Sequence, residues 1–240
     1  MKRLFLITFL IAVAAITFTR RSTPGPTITP TPTPSPPQTK GYAFIVTDPR
    51  NVSLIPNFSE KKTSEQLWSE NDCSSGISGG FYDTDNRPLG LFIANGETLR
   101  KISNSTLING FFGIGEDGRP FISRQAPSTS RMALQTGPRL YANGQPLPLA
   151  IRNDEHARRM VAAVTSDQNI IFITFYQPES VFDGPRLEEL PTRISDINKK
   201  ELLNITDAIN LDGGSASSFI GSNVTLNELT PIGSFFCIKS

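Results

Sequence analysis

The 240-residue sequence is poor in the side chains that bind metals and carry redox chemistry. It has one histidine, His156, and two cysteines, Cys73 and Cys237. Two thiols and one imidazole cannot build a zinc site without other ligands, so no metal centre is expected and no motif asks for a cofactor. An excess of positive charge is missing too. Five of the 23 basic residues (Lys2, Arg3, Arg20, Arg21 and Lys40) and none of the 22 acidic ones precede residue 41, which leaves residues 41–240 with a net charge of −4. That balance excludes the basic footprint of a nucleic-acid binder. No 20–50-residue repeat is evident, which argues against a solenoid or propeller. Helix signals are few.

One long apolar run is present, and it stands at the start. Lys2 and Arg3 precede Leu4–Phe18, which only Thr8 and Thr17 interrupt, and Ala12-Val13-Ala14 fits a small-residue cleavage pattern, so residues 1–21 are expected to direct export. A helix over this run would span roughly 24 Å against a hydrocarbon core of ~30 Å, and Arg20-Arg21 follow it as a membrane stop would. A cleaved signal and an uncleaved anchor both stay open. Residues 22–40 hold alternating prolines and threonines, the composition of a stiff polyproline spacer. Residues 41–240 then suit one sizeable domain. In an exported chain the two cysteines are expected to pair, closing a loop of more than 160 residues and stabilising by about 4–5 kcal/mol. Asn-x-Ser/Thr sequons begin at Asn51, Asn57, Asn104, Asn204 and Asn223.

Within the domain, strand-like runs alternate with hairpin signals such as Asn95-Gly96, Glu116-Asp117-Gly118, Asn143-Gly144 and Asp167-Gln168-Asn169. Thr63-Ser64-Glu65-Gln66 reads as a capping box opening a helix. Ser195 or Asp196 is expected to cap a second helix running to about Leu203. The fold expectation is α+β: mainly antiparallel sheet layers with a few flanking helices in a single domain.

Four glycine-and-amide blocks stand out. In Asn210-Leu211-Asp212-Gly213-Gly214-Ser215 an apolar run ends at a carboxylate and two glycines. On a strand Asn210 and Asp212 share one face, and the following N–H groups could form an anion-binding nest; a plain hairpin turn is the competing reading. Gly79-Gly80-Phe81-Tyr82 places paired glycines where a ligand or another strand comes close. Asn109 precedes a glycine and two phenylalanines, and Gln135 ends a strand before Gly137-Pro138. Arg159 opens the strand Met160–Val164 and is the best phosphate fork available.

These blocks, in the order Gly-Gly-Phe-Tyr-Asp, Asn-Gly-Phe-Phe, Leu-Gln-Thr-Gly-Pro, Arg-Met-Val-Ala-Ala-Val and Asn-Leu-Asp-Gly-Gly-Ser, resemble the phosphodiester glycosidase family over nearly all of residues 42–239. The resemblance implies hydrolysis of a glycosyl phosphodiester to a free sugar and a phosphomonoester. Asp212 is then expected to face the developing sugar cation, as nucleophile or electrostatic stabiliser. Arg159 and the backbone of Gly213, Gly214 and Ser215 would hold the departing phosphate. Asn210 and Gln135 would orient hydroxyls, with Gly79, Gly80, Phe81, Tyr82 and Asn109 around the substrate. Asp83, Asp154 and Glu155 are candidates for a second carboxylate. The expected partner is a glycan or glycosyl phosphodiester, with membrane attachment through the N-terminal segment if that segment is retained. The rival from another class is a non-catalytic glycan-binding domain of the cell envelope, which needs the glycines and aromatics but no carboxylate.

Overall fold

The computed structural model describes residues 41–180 and 182–240; the export segment and proline-rich spacer expected over 1–40 lie outside the described residues. Three antiparallel sheets build the structure. A six-stranded sheet runs in the order Tyr42–Thr47, Ile170–Phe175, Arg159–Thr165, Ile205–Asn210, Arg139–Ala142 and Gln145–Pro146. A second sheet orders Thr225–Leu226, Phe219–Ile220, Ser75–Ser78, Ser234–Ile238 and Val52–Pro56, and a third Glu97–Arg100, Phe92–Ala94, Met132–Thr136, Gly110–Ile114 and Pro120–Ser123.

One core joins all three sheets. Each sheet sends one ring to its centre: Phe172 from the first, Phe236 from the second and Phe112 from the third, with ring centroids 5.0–5.9 Å apart. Such contacts add about 0.5–1.5 kcal/mol per pair beyond buried area. The strand Arg159–Thr165 reads as a continuous apolar run because both of its faces are covered. Met160, Ala162 and Val164 enter the shared core, whereas Val161 and Ala163 pack under a helix, the alternation that strand geometry imposes. That helix, α2 (Leu190–Glu201), presents Leu190, Ile194 and Ile197 to the sheet, a stripe of helical spacing. The earlier helix, α1 (Ser64–Glu70), packs Leu67 with Cys73, Phe235 and Cys237 on the second sheet.

Local chemistry explains most of the boundaries. Thr63 caps α1 by accepting from Gln66 N at 3.2 Å, and Gln66 Oε1 accepts from Thr63 N at 3.0 Å, the expected capping box. Asn95-Gly96 and Asn143-Gly144 all have positive φ, as the tight hairpin turn requires. Cys73 and Cys237 are bonded, with Cα atoms 5.4 Å apart and 164 residues between them. Of the sequon asparagines, Asn57 is buried and its Nδ2 donates to Lys62 O and Ile232 O.

Among the described residues two short α-helices flank three antiparallel sheets, so the expected sheet layers are present and strand outweighs helix. Some boundaries need correction. The second helix begins at Leu190, not at Ser195 or Asp196, and Leu202 ends it at φ 54°. Pro191 fits its first turn, where the missing N–H has no partner to lose. The turn ahead of it is held by a distant group: Asp154 accepts from Leu187 N at 3.0 Å and Glu188 N at 2.8 Å. Gly79–Phe81 and Thr106–Asn109 lie outside the strands, which stop at Ser78 and start at Gly110.

Candidate functional site

The strand Ile205–Asn210 lies inside the six-stranded sheet, where Asn210 pairs with Val161 and Ala208 with Tyr141. Asn210 N donates to Pro138 O at 3.0 Å and Leu211 N to Met160 O at 2.8 Å. Beyond that point the chain leaves the first sheet for the second. Asp212 N donates to Gly79 O at 3.0 Å and Gly214 N to Arg158 O at 2.8 Å. Phe219 then pairs with Ile77 of the second sheet. A crossing between sheets leaves side chains without a strand neighbour, and a cleft of about 350 Å³ opens there.

Asp212, Asn210, Arg159, Phe81, Gly213 and Gly214 all line this cleft, together with Asp154 and Glu155. Asn210 and Asp212 reach it from one face of the chain, as strand alternation requires. Asn210 is buried; its Nδ2 donates to Gly137 O at 3.0 Å while Oδ1 is left without a partner. An unmatched buried carbonyl is costly unless a ligand donates to it.

Burial pushes the Asp212 carboxyl up from 3.8 to about 7, opposed only by the hydrogen bond from Gly213 N at 2.9 Å. No cation among the described residues offsets the desolvation, so the neutral form is favoured above the ordinary carboxylate range. Tyr82 stands close enough to feel this group: its phenol is raised mainly by burial and further by the Asp212 charge. Arg159 is held differently. Its Nε donates to Pro185 O at 3.1 Å, and Nη2 donates to Asp154 Oδ1 at 3.1 Å and to Glu155 O. Burial lowers its pKa, and Asp154 and Glu155 raise it in part. Nη1 has no hydrogen-bond partner among the described residues and remains available to a ligand.

Several expected contacts are elsewhere. Gln135 is a structural buckle: Oε1 accepts from Leu91 N and Ser103 N at 3.1 and 3.0 Å, and Nε2 donates to Ser103 O and Ile108 O at 2.8 and 3.1 Å. Nothing is left on it for a sugar. The anion nest is also reduced, because Gly213 N serves Asp212 and Gly214 N serves Arg158. Ser215 is exposed at the edge, its carbonyl accepting from Leu229 N and Thr230 N. Gly79 is buried with no room for a Cβ against Ser234 Oγ, so it holds Asp212 through its carbonyl. Gly80 N donates to Ser234 Oγ at 3.3 Å, and Tyr82 donates to Pro231 O. Asn109 opens on a different cleft. Asp83 accepts from Asp85 N and Arg87 N in its own turn and does not line this one.

Arg158, which the expected site left out, supports the loop from beneath. It is fully buried, donates from Nε to Ser217 Oγ at 2.9 Å and from Nη2 to Ser217 O and Asn227 O, and its guanidinium lies 4.8 Å from the Phe182 ring centre. Ser217 Oγ donates on to Gly214 O at 2.6 Å. Arg158 thus clamps the loop that presents Asp212. The signal was the pair Arg158-Arg159 ahead of an apolar strand: adjacent residues point to opposite faces, so one of the two must enter the protein.

The sequence pattern of the family described as Phosphodiester glycosidase matches residues 71–238. No curated protein matches by sequence. Among solved structures, the chain is similar to the catalytic domain of zebrafish N-acetylglucosamine-1-phosphodiester alpha-N-acetylglucosaminidase auto-inhibited by its pro-peptide, with 16% identity, TM-score 0.60 and 85% of each chain covered. It is also similar to a hypothetical protein from Synechocystis, with 14% identity, TM-score 0.62, 82% of this chain and 58% of that one. A Burkholderia pseudomallei protein described as exported gives 10% identity and TM-score 0.51 over 83% and 74%. At these identities the likenesses carry the fold alone. The sequence pattern, spanning most of the chain and including the Asp212 crossing, places it by descent: the chain belongs to the phosphodiester glycosidase family.

Proposed function

We propose that the chain is an exported glycosidase that hydrolyses a sugar–phosphodiester linkage in a surface or extracellular glycan, with Asp212 as the reacting carboxylate. The observation that carries the reading is the desolvated Asp212 carboxyl, raised to about 7, in the same cleft as an unmatched Asn210 carbonyl and Arg159. A phosphomonoester leaves readily without a proton, so the reaction asks for little general acid. It asks for stabilisation of positive charge at the anomeric carbon and for delivery of water. The ionised form of Asp212 is high in energy because burial strips its water; a developing sugar cation beside it relieves that cost. Water adds to the anomeric carbon, the carbon–oxygen bond to phosphate breaks, and the water proton passes to a carboxylate.

Arg159, held by Asp154 and two carbonyls, offers Nη1 to the departing phosphate. Asn210 Oδ1 accepts from a sugar hydroxyl, and Phe81 supplies an apolar wall. Asp154 is occupied by Arg159 and two N–H groups, which leaves Glu155 as the candidate second carboxylate. Export is supported by the disulfide and by the pattern of residues 1–21; secretion and N-terminal anchoring both fit.

One observation favours the binding-only reading: the Gly213 and Gly214 N–H groups are engaged within the loop, so the anion cradle is weaker than a phosphate site would use. A screen of alkyl phosphodiesters of sugar 1-phosphates and of teichoic-acid-like polymers for released sugar separates the two. Turnover that Asp212→Asn lowers about 10²–10³-fold supports the enzyme. Tight glycan binding without turnover and indifferent to Asp212→Asn supports the binder.

A further inference from the structure

A second cleft of about 520 Å³ stands outside the site, lined by Asn109, Arg124, Arg139, Leu147, Pro148 and Leu149. Two chain segments supply walls to both clefts. Leu107 and Gly137 line the first, and Asn109 and Arg139 the second. Two residues of extended chain reach at most about 7 Å, so these wall residues of the two clefts are near neighbours on the same two segments. Their charges are opposite. The first holds Asp212, Asp154 and Glu155 against Arg159; the second holds two arginines and no carboxylate in its lining.

Neither arginine is saturated. Arg139 is largely buried, packs over Gly110, and approaches Asp207 Oδ1 only to 3.7 Å, while its buried Nε has no partner. Arg124 is exposed and has no ion-pair partner among the described residues. A desolvated guanidinium N–H without an acceptor is unfavourable until an anion supplies one.

The geometry points to this second cleft as a subsite for a further phosphate of the same substrate, which makes that substrate a polymer of sugars joined through glycosyl phosphodiesters and not a single small ester. The inference rests on the glycosidase reading for what happens in the first cleft, but the subsite itself is a binding claim. Arg139 presents its guanidinium to the phosphate from the cleft wall, Arg124 closes over it from the exposed side, and Leu147, Pro148 and Leu149 pack against the carbon frame of the adjoining unit.

The test titrates the full chain and its Arg124→Glu and Arg139→Gln variants with a poly(sugar 1-phosphate), whose repeats are joined through glycosyl phosphodiesters, and, separately, with polygalacturonate, a polyanion bearing carboxylates. Thermal melts check the fold of Arg139→Gln; Arg124 is exposed, so its variant keeps the test open if the other does not fold. The expected result is about tenfold weaker binding of the phosphate polymer by each variant and weak binding of polygalacturonate throughout. In turnover, both variants should match the native chain on a single alkyl sugar phosphodiester and show a KM raised about tenfold on the polymer. Equal polymer affinity in the native chain and Arg124→Glu, or polygalacturonate bound as tightly as the phosphate polymer, would overturn the subsite. Absence of turnover with arginine-dependent polymer binding intact removes the glycosidase reading and leaves the subsite standing.

Discussion

Replacing the Asp212 carboxyl by an amide of the same shape, Asp212→Asn, should make the folded protein more stable at neutral and alkaline pH. The folded carboxyl titrates at about 7, against 3.8 without burial. Below about pH 4 the group is protonated in both folded and unfolded chains and has no effect on stability. As pH rises from there to about 7, the unfolded chain ionises while the folded one keeps its proton, and stability falls; above 7 the loss is complete and constant. A displacement of this size corresponds to about 4 kcal/mol, an upper limit because Asp212 is part-exposed where it lines the cleft. About 2 kcal/mol is the expected cost after screening by water. The amide avoids that cost and still accepts from Gly213 N through its oxygen. For a domain of about 200 residues the melting temperature should rise by about 4–8 °C at pH 8, with little difference at pH 4. Thermal unfolding of both proteins across this range reads the effect. A variant no more stable than the native chain at pH 8, or a gain equally large at pH 4, would refute the desolvation argument.

Other consequences follow from named contacts. Rate measurements on a glycosyl phosphodiester should show kcat/KM rising with pH through about 7, because the proposed role of Asp212 needs its ionised form; a fall over the same range would assign it the acid's role instead. Arg158→Met should destabilise by about 3 kcal/mol, since Ser217 O and Asn227 O lose their buried donor, as a denaturant titration would detect. Cys73→Ser with Cys237→Ser should lower stability by about 4–5 kcal/mol for a loop of this length, again by denaturant unfolding. Gly79→Ala should drive a Cβ into Ser234 Oγ and shift the carbonyl that holds Asp212 N, lowering kcat; adding Ser234→Gly should restore part of it.

Local signals foretold the elements whose causes are local. The Thr63 capping box, the Asn-Gly hairpins and the cysteine pair depend on neighbours in sequence or on there being only two thiols. The start of α2 was misplaced because the turn that leads into it is held by Asp154, more than thirty residues away, and no pattern within the helix records that. The same limit governs the site. Asn210 and Asp212 were legible because strand alternation puts them on one face. Gln135 looked like a sugar ligand because its amide ends a strand, yet groups 44 and 32 residues distant take up its oxygen and groups 32 and 27 residues distant its nitrogen. Arg158 was overshadowed by Arg159 because burial of a guanidinium depends on carbonyls of Ser217 and Asn227, which only the crossing between sheets brings near. The glycines at 213 and 214 were read as a ligand cradle, whereas their N–H groups fasten the loop itself.

The most direct test of the central claim compares the native chain with Asp212→Asn for sugar released from an alkyl phosphodiester of a sugar 1-phosphate, at pH 8 with both proteins folded. The account predicts release by the native chain and a rate about 10²–10³-fold lower in the variant; equal rates in the two proteins would contradict it.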